Sequence, residues 1–244
     1  MAELPRHRLH VAAALAAGRH VDLDPERSHY LCRVLRARRG DRVLVFSGDG
    51  DGHEATVAVS NTKRCELVVG ARLVSEPAPA FALDLGLALI KGDRLDFVLQ
   101  KATELGVTGI TLMATEHSVV NLTGERIERR FEHWQRIVIG AAEQCGRLRL
   151  PRLDGLTPFA DVVARAPAHR YLLDPGAAPL AGTPPASDTL LLLGPEGGFS
   201  DRERVHALGA GFTAVGLGER ILRSDTAPVA ALAVFRQAWG WRLP

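Results

Sequence analysis

Short runs of alternating apolar and polar residues dominate the first 75 residues of the chain. Because successive side chains of a strand point to opposite faces, this alternation predicts strands at residues 42–46, 54–59 and 65–73. The segment SGDGDGH between the first two runs has the glycines and aspartates of a hairpin turn. With a short helix expected near residues 28–36, the pattern predicts a small β-rich, barrel-like module over residues 1–75.

The pattern changes to alternating strands and helices after the Pro-rich segment SEPAP, residues 75–79. Residues 81–90 form a continuous apolar run, which is typical of a strand buried on both faces of a parallel sheet. Further strands are predicted at residues 108–114, 171–173, 190–193 and 213–217. Apolar residues at helical spacing predict helices at residues 93–105, 125–145 and 226–239. We therefore expect an α/β domain with a mainly parallel sheet over residues 80–244.

The segment LLLLGPEGGFSDRE, residues 190–203, places a glycine-rich turn directly after one of these strands, and Ser200 is expected to cap a helix that contains Asp201 and Glu203. Ligands of parallel sheets bind in the loops that follow the carboxyl ends of strands, and glycine allows close approach to backbone amides. The spacing is neither GxGxxG nor GxxxxGKS, and Glu196 would repel a phosphate. The turn favours a neutral or cationic ligand, such as adenosine next to a positive centre. The alternative is a tight turn without a ligand.

Three other segments carry polar groups at strand or helix ends. The segment LGERILRSDTA, residues 217–227, has an apolar pair, Ile221 and Leu222, flanked by arginines, which suits a flat ring beside an anion. The long helix ends in AAEQCGR, residues 141–147, and Lys91 and Arg94 follow the first strand of the sheet. As separate patterns, these segments could equally be loop packing, a helix N-cap or an exposed helix end.

Charge is distributed unevenly, although the net charge of the 244 residues is only +2. Residues 27–42 contain six arginines and one acid, Asp41, which predicts contact with a phosphate backbone or, alternatively, a solvated helix face. A second cluster, ERIERR, starts the long helix at residue 125 and is a further candidate for contact with a phosphate backbone.

Several classes of protein are disfavoured by the sequence. It has no apolar run of about 18 residues, no clear signal peptide, and three cysteines without metal-ligand spacing. The motifs GxSxG, HExxH and the P-loop are missing. We expect a cytoplasmic protein without a membrane segment or a metal.

Four segments, KGDRLDFVLQKATELGV, AAEQCGR, LLLLGPEGGFSDRE and LGERILRSDTA, together and in this order resemble the RsmE family of SPOUT methyltransferases. The resemblance implies an α/β domain with a C-terminal trefoil knot, preceded by a PUA-like RNA-binding barrel. It further implies a homodimer that transfers a methyl group from S-adenosylmethionine to N3 of a uridine in 16S ribosomal RNA. Remaining alternatives are a SPOUT enzyme for another base or a ribose hydroxyl and a non-catalytic RNA-binding assembly factor. A dinucleotide oxidoreductase is disfavoured by the missing GxGxxG.

The resemblance also implies roles for individual residues. The expected cofactor-binding residues are Leu173, Leu193, Gly194, Pro195, Glu196, Gly197, Leu217, Gly218, Ile221, Leu222, Thr226 and Ala227. The expected RNA-binding residues are Arg27, Arg33, Arg36, Arg38, Arg39, Lys91, Arg94, Arg147 and Arg220. Arg223, or alternatively Arg220, is expected to stabilise negative charge on the uracil, and Asp225, Glu143 or a water to accept its proton. The family usually has Glu at the position of Asp225.

Overall fold

The computed structural model describes residues 4–118, 124–165, 167–180 and 182–240 of the chain. The chain divides into two compact units. The first comprises Met1–Ala78 and Ala142–Leu150, and the second comprises Pro79–Ala141 and Pro151–Pro244. The return of residues 142–150 to the first unit was not part of the division expected from the sequence.

A five-stranded mixed sheet forms the frame of the first unit, in the order β1-β3-β4-β5-β2. Its strands are β1 (Arg8–His10), β2 (His20–Asp22), β3 (Arg42–Phe46), β4 (Asp51–Val59) and β5 (Glu66–Ser75). β1 pairs with β3 in parallel, and the other pairs are antiparallel. The three predicted strands are confirmed as β3, β4 and β5. The two extra strands have three residues each, which is too short for an alternating pattern to reveal.

The predicted helix at residues 28–36 is displaced towards the N-terminus. Helix α1 (Pro25–His29) begins earlier because the Asp24 side chain accepts a hydrogen bond from the backbone N–H of Arg27, and Pro25 suits the first helical position. A π-helical turn, Tyr30–Val34, continues it. The chain then passes through Arg36 at φ +59°, a conformation that costs energy for a residue with a Cβ.

The segment 142–150 completes the interior of the first unit. Ala142 and Leu148 are buried against Leu44 and Phe46. The Glu76 carboxylate accepts hydrogen bonds from the backbone N–H groups of Leu148 and Arg149, so that the segment is held by its backbone as well.

The second unit is an α/β domain around a six-stranded sheet in which all neighbouring strands are parallel, in the order β11-β9-β10-β6-β7-β8. The strands are β6 (Leu83–Ala88), β7 (Gly109–Ala114), β8 (Arg152–Pro158), β9 (His169–Leu173), β10 (Thr189–Leu193) and β11 (Thr213–Val215). The helices are α2 (Asp93–Glu104), α3 (Glu125–Cys145, which ends in the first unit), α4 (Phe159–Val163), α5 (Asp201–Gly209) and α6 (Thr226–Ala238). The predicted α/β class is confirmed.

Two elements of the second unit, β8 and α4, were not predicted. β8 has the sequence RLDGLTP at the edge of the sheet, where most of its side chains stay partly exposed and no apolar run is needed. α4 is a single short stretch of five residues. None of the helices in the described part of the chain is long and apolar enough to cross a membrane.

The order of strands decides where the functional loops lie. β9 lies between β10 and β11, and all three are parallel, so the loops after them leave from the same edge of the sheet. The core beneath this edge is formed by fully buried leucines of β6 and β10 and by Leu95, Val98 and Leu99 of α2.

Candidate functional site

A cavity of about 430 Å³ opens at the carboxyl ends of β9, β10 and β11. The last residues of the three strands, Leu173, Leu193 and Val215, line it, as do the loops that follow. Its volume lies in the range of pockets that hold small ligands. The two segments that the sequence singled out therefore lie side by side around one cavity.

Nine of the twelve residues predicted to bind the cofactor line this cavity: Leu173, Leu193, Gly194, Pro195, Glu196, Leu217, Ile221, Leu222 and Ala227. Gly197, Gly218 and Thr226 belong to the same loops but do not line it. Ile221 is 83% exposed, so the apolar pair is not buried in the structure of the chain alone.

The glycine turn after β10 is folded closely on itself. A Cβ atom on Gly194 would lie 3.3 Å from the backbone of Gly198 and from the ring of Phe199. Gly198 adopts φ +69°, and its N–H donates to the carbonyl of Pro195. The turn thus depends on glycine at two positions, and its folding leaves room for a ligand against the backbone.

The start of α5 anchors the end of this turn. Ser200 caps the helix, and the carboxylate of Glu203 accepts a hydrogen bond from the Ser200 N–H at 2.9 Å. The other oxygen of Glu203 accepts from the backbone N–H of Glu116, after β7, also at 2.9 Å. Glu203 is only 5% exposed, so its side chain is largely shielded from water. The predicted cap by Ser200 is confirmed, but no sequence signal indicated the link to Glu116.

His117 gives the turn a second support. Its Nδ1 lies 3.1 Å from the carbonyl oxygen of Gly197 and 3.2 Å from that of Gly198, so the ring can donate to both. His117 was not predicted from the sequence, because a histidine in a loop carries no pattern of its own.

The loop after β9 forms another wall of the cavity. Asp174 pairs with Arg204 of α5 at 2.8 Å, and both side chains line the cavity. The N–H of Gly216 donates to the carbonyl of Ala178 at 2.8 Å. A Cβ atom on Gly216 would lie 2.2 Å from the carbonyl oxygen of Ala177, so only glycine allows the loops after β9 and β11 to pass this closely.

Arg94 lies between the two predicted loops. Its Nη1 is 3.4 Å from Glu196 in the glycine turn, and its Nε is 4.0 Å from Asp225 in the loop after β11. Asp225 also lies 3.5 Å from Nη2 of Arg223. Arg94 and Arg220, which were predicted to bind RNA, line the cavity together with Arg223.

The lining combines apolar surface with charges of both signs. Leu193, Leu217 and Leu222 supply apolar area, and three carboxylates and four guanidinium groups surround it: Asp174, Glu196, Asp201, Arg94, Arg204, Arg220 and Arg223. The Oγ atom of Ser224 is buried in the lining and has no hydrogen-bond partner within the described residues. A buried hydroxyl without a partner is costly, so this atom is suited to bind a ligand. The cavity fits a small molecule with an apolar part and groups of both charges.

Glu143, a candidate for proton transfer, lies in the first unit and does not line the cavity. Its carboxylate accepts hydrogen bonds from Arg27 Nη1 at 2.7 Å and from the backbone N–H of His10 at 2.8 Å. Burial raises the pKa of Glu143 above its ordinary value, and the charge of Arg27 and the two hydrogen bonds only partly offset that rise. The observed partners indicate a structural role within the first unit.

The predicted RNA-binding arginines of the first unit fall into two groups. Arg27 is largely buried in its pair with Glu143, and Arg147 is half-buried. Four others around the π-helical turn are exposed: Arg33, Arg36, Arg38 and Arg39. In the second unit, Lys91 is also exposed, and its backbone N–H lies 3.5 Å from Glu196. Over the residues that the structure describes, no three His, Cys, Asp or Glu side chains are grouped to hold a metal ion.

Comparison with known proteins gives the family. Residues 76–236 match the RNA methyltransferase domain family, and residues 23–70 match the RNA methyltransferase PUA domain family. The chain is 33% identical over 237 residues to the ribosomal RNA small subunit methyltransferase E of Synechocystis sp., covering 93% of this chain and 76% of that protein.

Two solved structures are similar over nearly their whole length. The ribosomal RNA small subunit methyltransferase E of Neisseria gonorrhoeae, bound to S-adenosylmethionine, has a TM-score of 0.86 and 33% identity, covering 97% of this chain and 98% of that chain. A methyltransferase of Legionella pneumophila with bound S-adenosylmethionine has a TM-score of 0.88 and 32% identity, covering 95% and 97%. These matches confirm the family resemblance drawn from the four sequence segments. The chain belongs to the ribosomal RNA small subunit methyltransferase E family.

Proposed function

We propose that this protein is an S-adenosylmethionine-dependent methyltransferase that modifies RNA of the small ribosomal subunit, and that its target atom is N3 of a uridine in 16S ribosomal RNA. The observation that carries the proposal is the cavity in which the glycine turn after β10 and the arginine-bearing loop after β11 meet. Family membership supports the class of reaction, and the resemblance of the motifs supports the target atom.

The cavity is suited to S-adenosylmethionine, which has an apolar ring, a sulfonium cation and an amino acid end. Leucine side chains and the backbone of the glycine turn can hold the adenosine. Carboxylates such as Glu196 and Asp174 can lie near the positive charges of the ligand without repulsion, and the cavity-lining arginines can bind its carboxylate. The buried hydroxyl of Ser224 would gain its missing hydrogen-bond partner.

The cofactor, when bound, supplies an electrophilic methyl group. The protein must hold the uracil so that N3 faces this methyl, remove the N3 proton and stabilise the negative charge that then spreads over O2 and O4. Arg223 is 65% exposed at the cavity, and its guanidinium can donate to such an oxygen while it pairs with Asp225. Asp225 lies 3.5 Å from Arg223 and can accept the proton, directly or through a water.

The four exposed arginines around the π-helical turn are our proposed RNA contacts in the first unit. Within the described residues, Arg33, Arg36, Arg38 and Arg39 form no ion pair, so their charges are available to phosphates. The strained conformation of Arg36 is the kind of local cost that functional sites tolerate. We also propose, from the family resemblance, a homodimer, a trefoil knot in the second unit and a cytoplasmic location with the ribosomal substrate.

The test uses the purified protein and ribosomal RNA from a strain that lacks the endogenous enzyme. S-adenosylmethionine binding is measured by calorimetry, and nucleoside mass spectrometry identifies the methylated position. We expect binding together with one new N3-methyluridine. Methylation of a ribose or another base would overturn the target atom, and RNA binding without affinity for the cofactor would instead indicate an assembly factor.

A further inference from the structure

Helix α3 carries a row of arginines along one side, next to its apolar stripe. Counting from Arg126, steps of four, three, three and four residues lead through Arg130, His133 and Arg136 to Gly140, which keeps all of them on one face. We call this face the α3 basic face. We propose that it binds the phosphate backbone of the RNA substrate; the inference rests on the proposed function.

The charges of this face are available to a partner. Arg126, Arg130 and Arg136 are exposed, and none of the three has an ion-pair partner in the described part of the chain. Their guanidinium groups are distributed over ten residues of helix, a distance of about 15 Å. An elongated row of unpaired positive charge complements a polyanion better than it complements a compact acidic ligand.

Gly140 is a second, independent observation. It is exposed within the helix, and a Cβ atom there would meet nothing within 4 Å. Packing therefore does not require glycine, which destabilises a helix interior relative to alanine. A bare helix surface at the end of the basic face allows the close approach of another backbone.

The α3 basic face also contacts α2, the helix whose first turn contributes to the cavity. His133, in the middle of the face, is 2.7 Å from Asp96 in the first turn of α2. Arg94, two residues earlier in the same turn, lines the cavity. The α3 basic face and the cavity thus share the first turn of α2.

The test compares three variants of the full chain: the triple variant R126Q/R130Q/R136Q, G140A, and the control R202Q, which removes a 90% exposed arginine of α5. Affinity for unmodified 16S ribosomal RNA is measured by fluorescence anisotropy from about 50 to 200 mM salt. Cofactor affinity, methylation rate, oligomeric state and Tm are measured in parallel.

We expect the triple variant to bind RNA at least about tenfold more weakly than the parent. The slope of log affinity against log salt concentration should fall in magnitude by about 2–3. Cofactor affinity and the methylation rate at saturating RNA should be unchanged. G140A should raise Tm by about 1–4 °C and yet weaken RNA binding, a combination that unfolding cannot produce. R202Q should behave as the parent.

Unchanged RNA affinity and salt slope in the triple variant would overturn the proposal. If the triple variant changed its oligomeric state and kept its RNA affinity, the α3 basic face would instead be a contact between copies of the chain. If the parent bound RNA with this salt dependence but transferred no methyl group, the proposed function would be wrong, and the assignment of the α3 basic face to RNA binding would still hold. A parent that bound no RNA would overturn both.

Discussion

The buried carboxylate of Glu203 joins the glycine turn to the loop after β7, because it accepts the backbone N–H of Glu116 at 2.9 Å while capping its own helix. Gln offers only one acceptor oxygen for these two N–H groups. Glu203→Gln should therefore leave one buried donor without a partner, at a cost of about 1–3 kcal/mol of stability, and loosen the cofactor site. Urea unfolding and calorimetric titration with S-adenosylmethionine would measure the two effects. Equal affinity in variant and parent would show that the turn does not need this support.

Arg223 is predicted to act on the transition state more than on cofactor binding. Arg223→Ala should lower the single-turnover methylation rate by about 10²–10³, while the cofactor Kd changes little, because a donor to a developing oxyanion contributes mainly at that stage. Arg220→Ala is the matched comparison from the same loop. If Arg220→Ala, and not Arg223→Ala, caused the large loss in methylation rate, Arg220 would be the residue that stabilises the negative charge on the uracil.

Gly216 is predicted to be intolerant of even a methyl group. Gly216→Ala would bring its Cβ within 2.2 Å of the Ala177 carbonyl, so the loops after β9 and β11 must separate. We expect a loss of about 1–3 kcal/mol or more, together with weaker cofactor binding. Gly209→Ala is the control, because a Cβ there meets nothing within 4 Å and the residue is helical. Thermal unfolding of both variants measures the difference; similar Tm values would contradict the prediction.

Asp154 should contribute to stability at neutral pH and not in acid. Burial by itself would raise its pKa, but hydrogen bonds from Thr111 and Arg152 and the charges of Arg152 and Arg165 outweigh burial and hold the pKa below the ordinary value. An acid with a depressed pKa stabilises the fold above its unfolded pKa, about 4, and this contribution is lost as pH falls through the folded value.

Asp154→Asn should therefore cost about 1–2 kcal/mol at pH 7, and the difference from the parent should shrink below about pH 4. Urea unfolding over this range is the measurement. The exposed Glu128 provides a control, since Glu128→Gln should leave the pH profile unchanged. A deficit that stayed constant in acid would mean that the ionised form of Asp154 is not the cause.

Periodicity in the sequence predicted the long elements well. β3 and α3 were found with the expected bounds, because a buried strand and a helix with one apolar stripe both leave a regular pattern. β1 and β2 could not be predicted in this way, since three residues are too few to show a strand period, and α4 is too short to show a helical one because five residues are little more than one turn. The edge strand β8 lacks the apolar run of its buried neighbours.

The candidate site was predictable where it consists of consecutive residues. The glycine turn and the loop after β11 each form a recognisable segment, and the rule for parallel sheets brought them together. Contacts between distant residues were not predictable: Asp174 with Arg204, Glu203 with Glu116, and the partners of Glu143. Such pairs depend on the final packing and leave no local signal.

The interrupted path of the chain through the first unit limits how this protein can be divided. A fragment that ends at residue 78 would lack Ala142 and Leu148, and Leu44 and Phe46 would be left facing water. Residues 1–78 are thus not an independent domain that genetic fusion or recombination could transfer alone. Any exchange between relatives that keeps both units folded must include the end of α3 together with the barrel-like sheet.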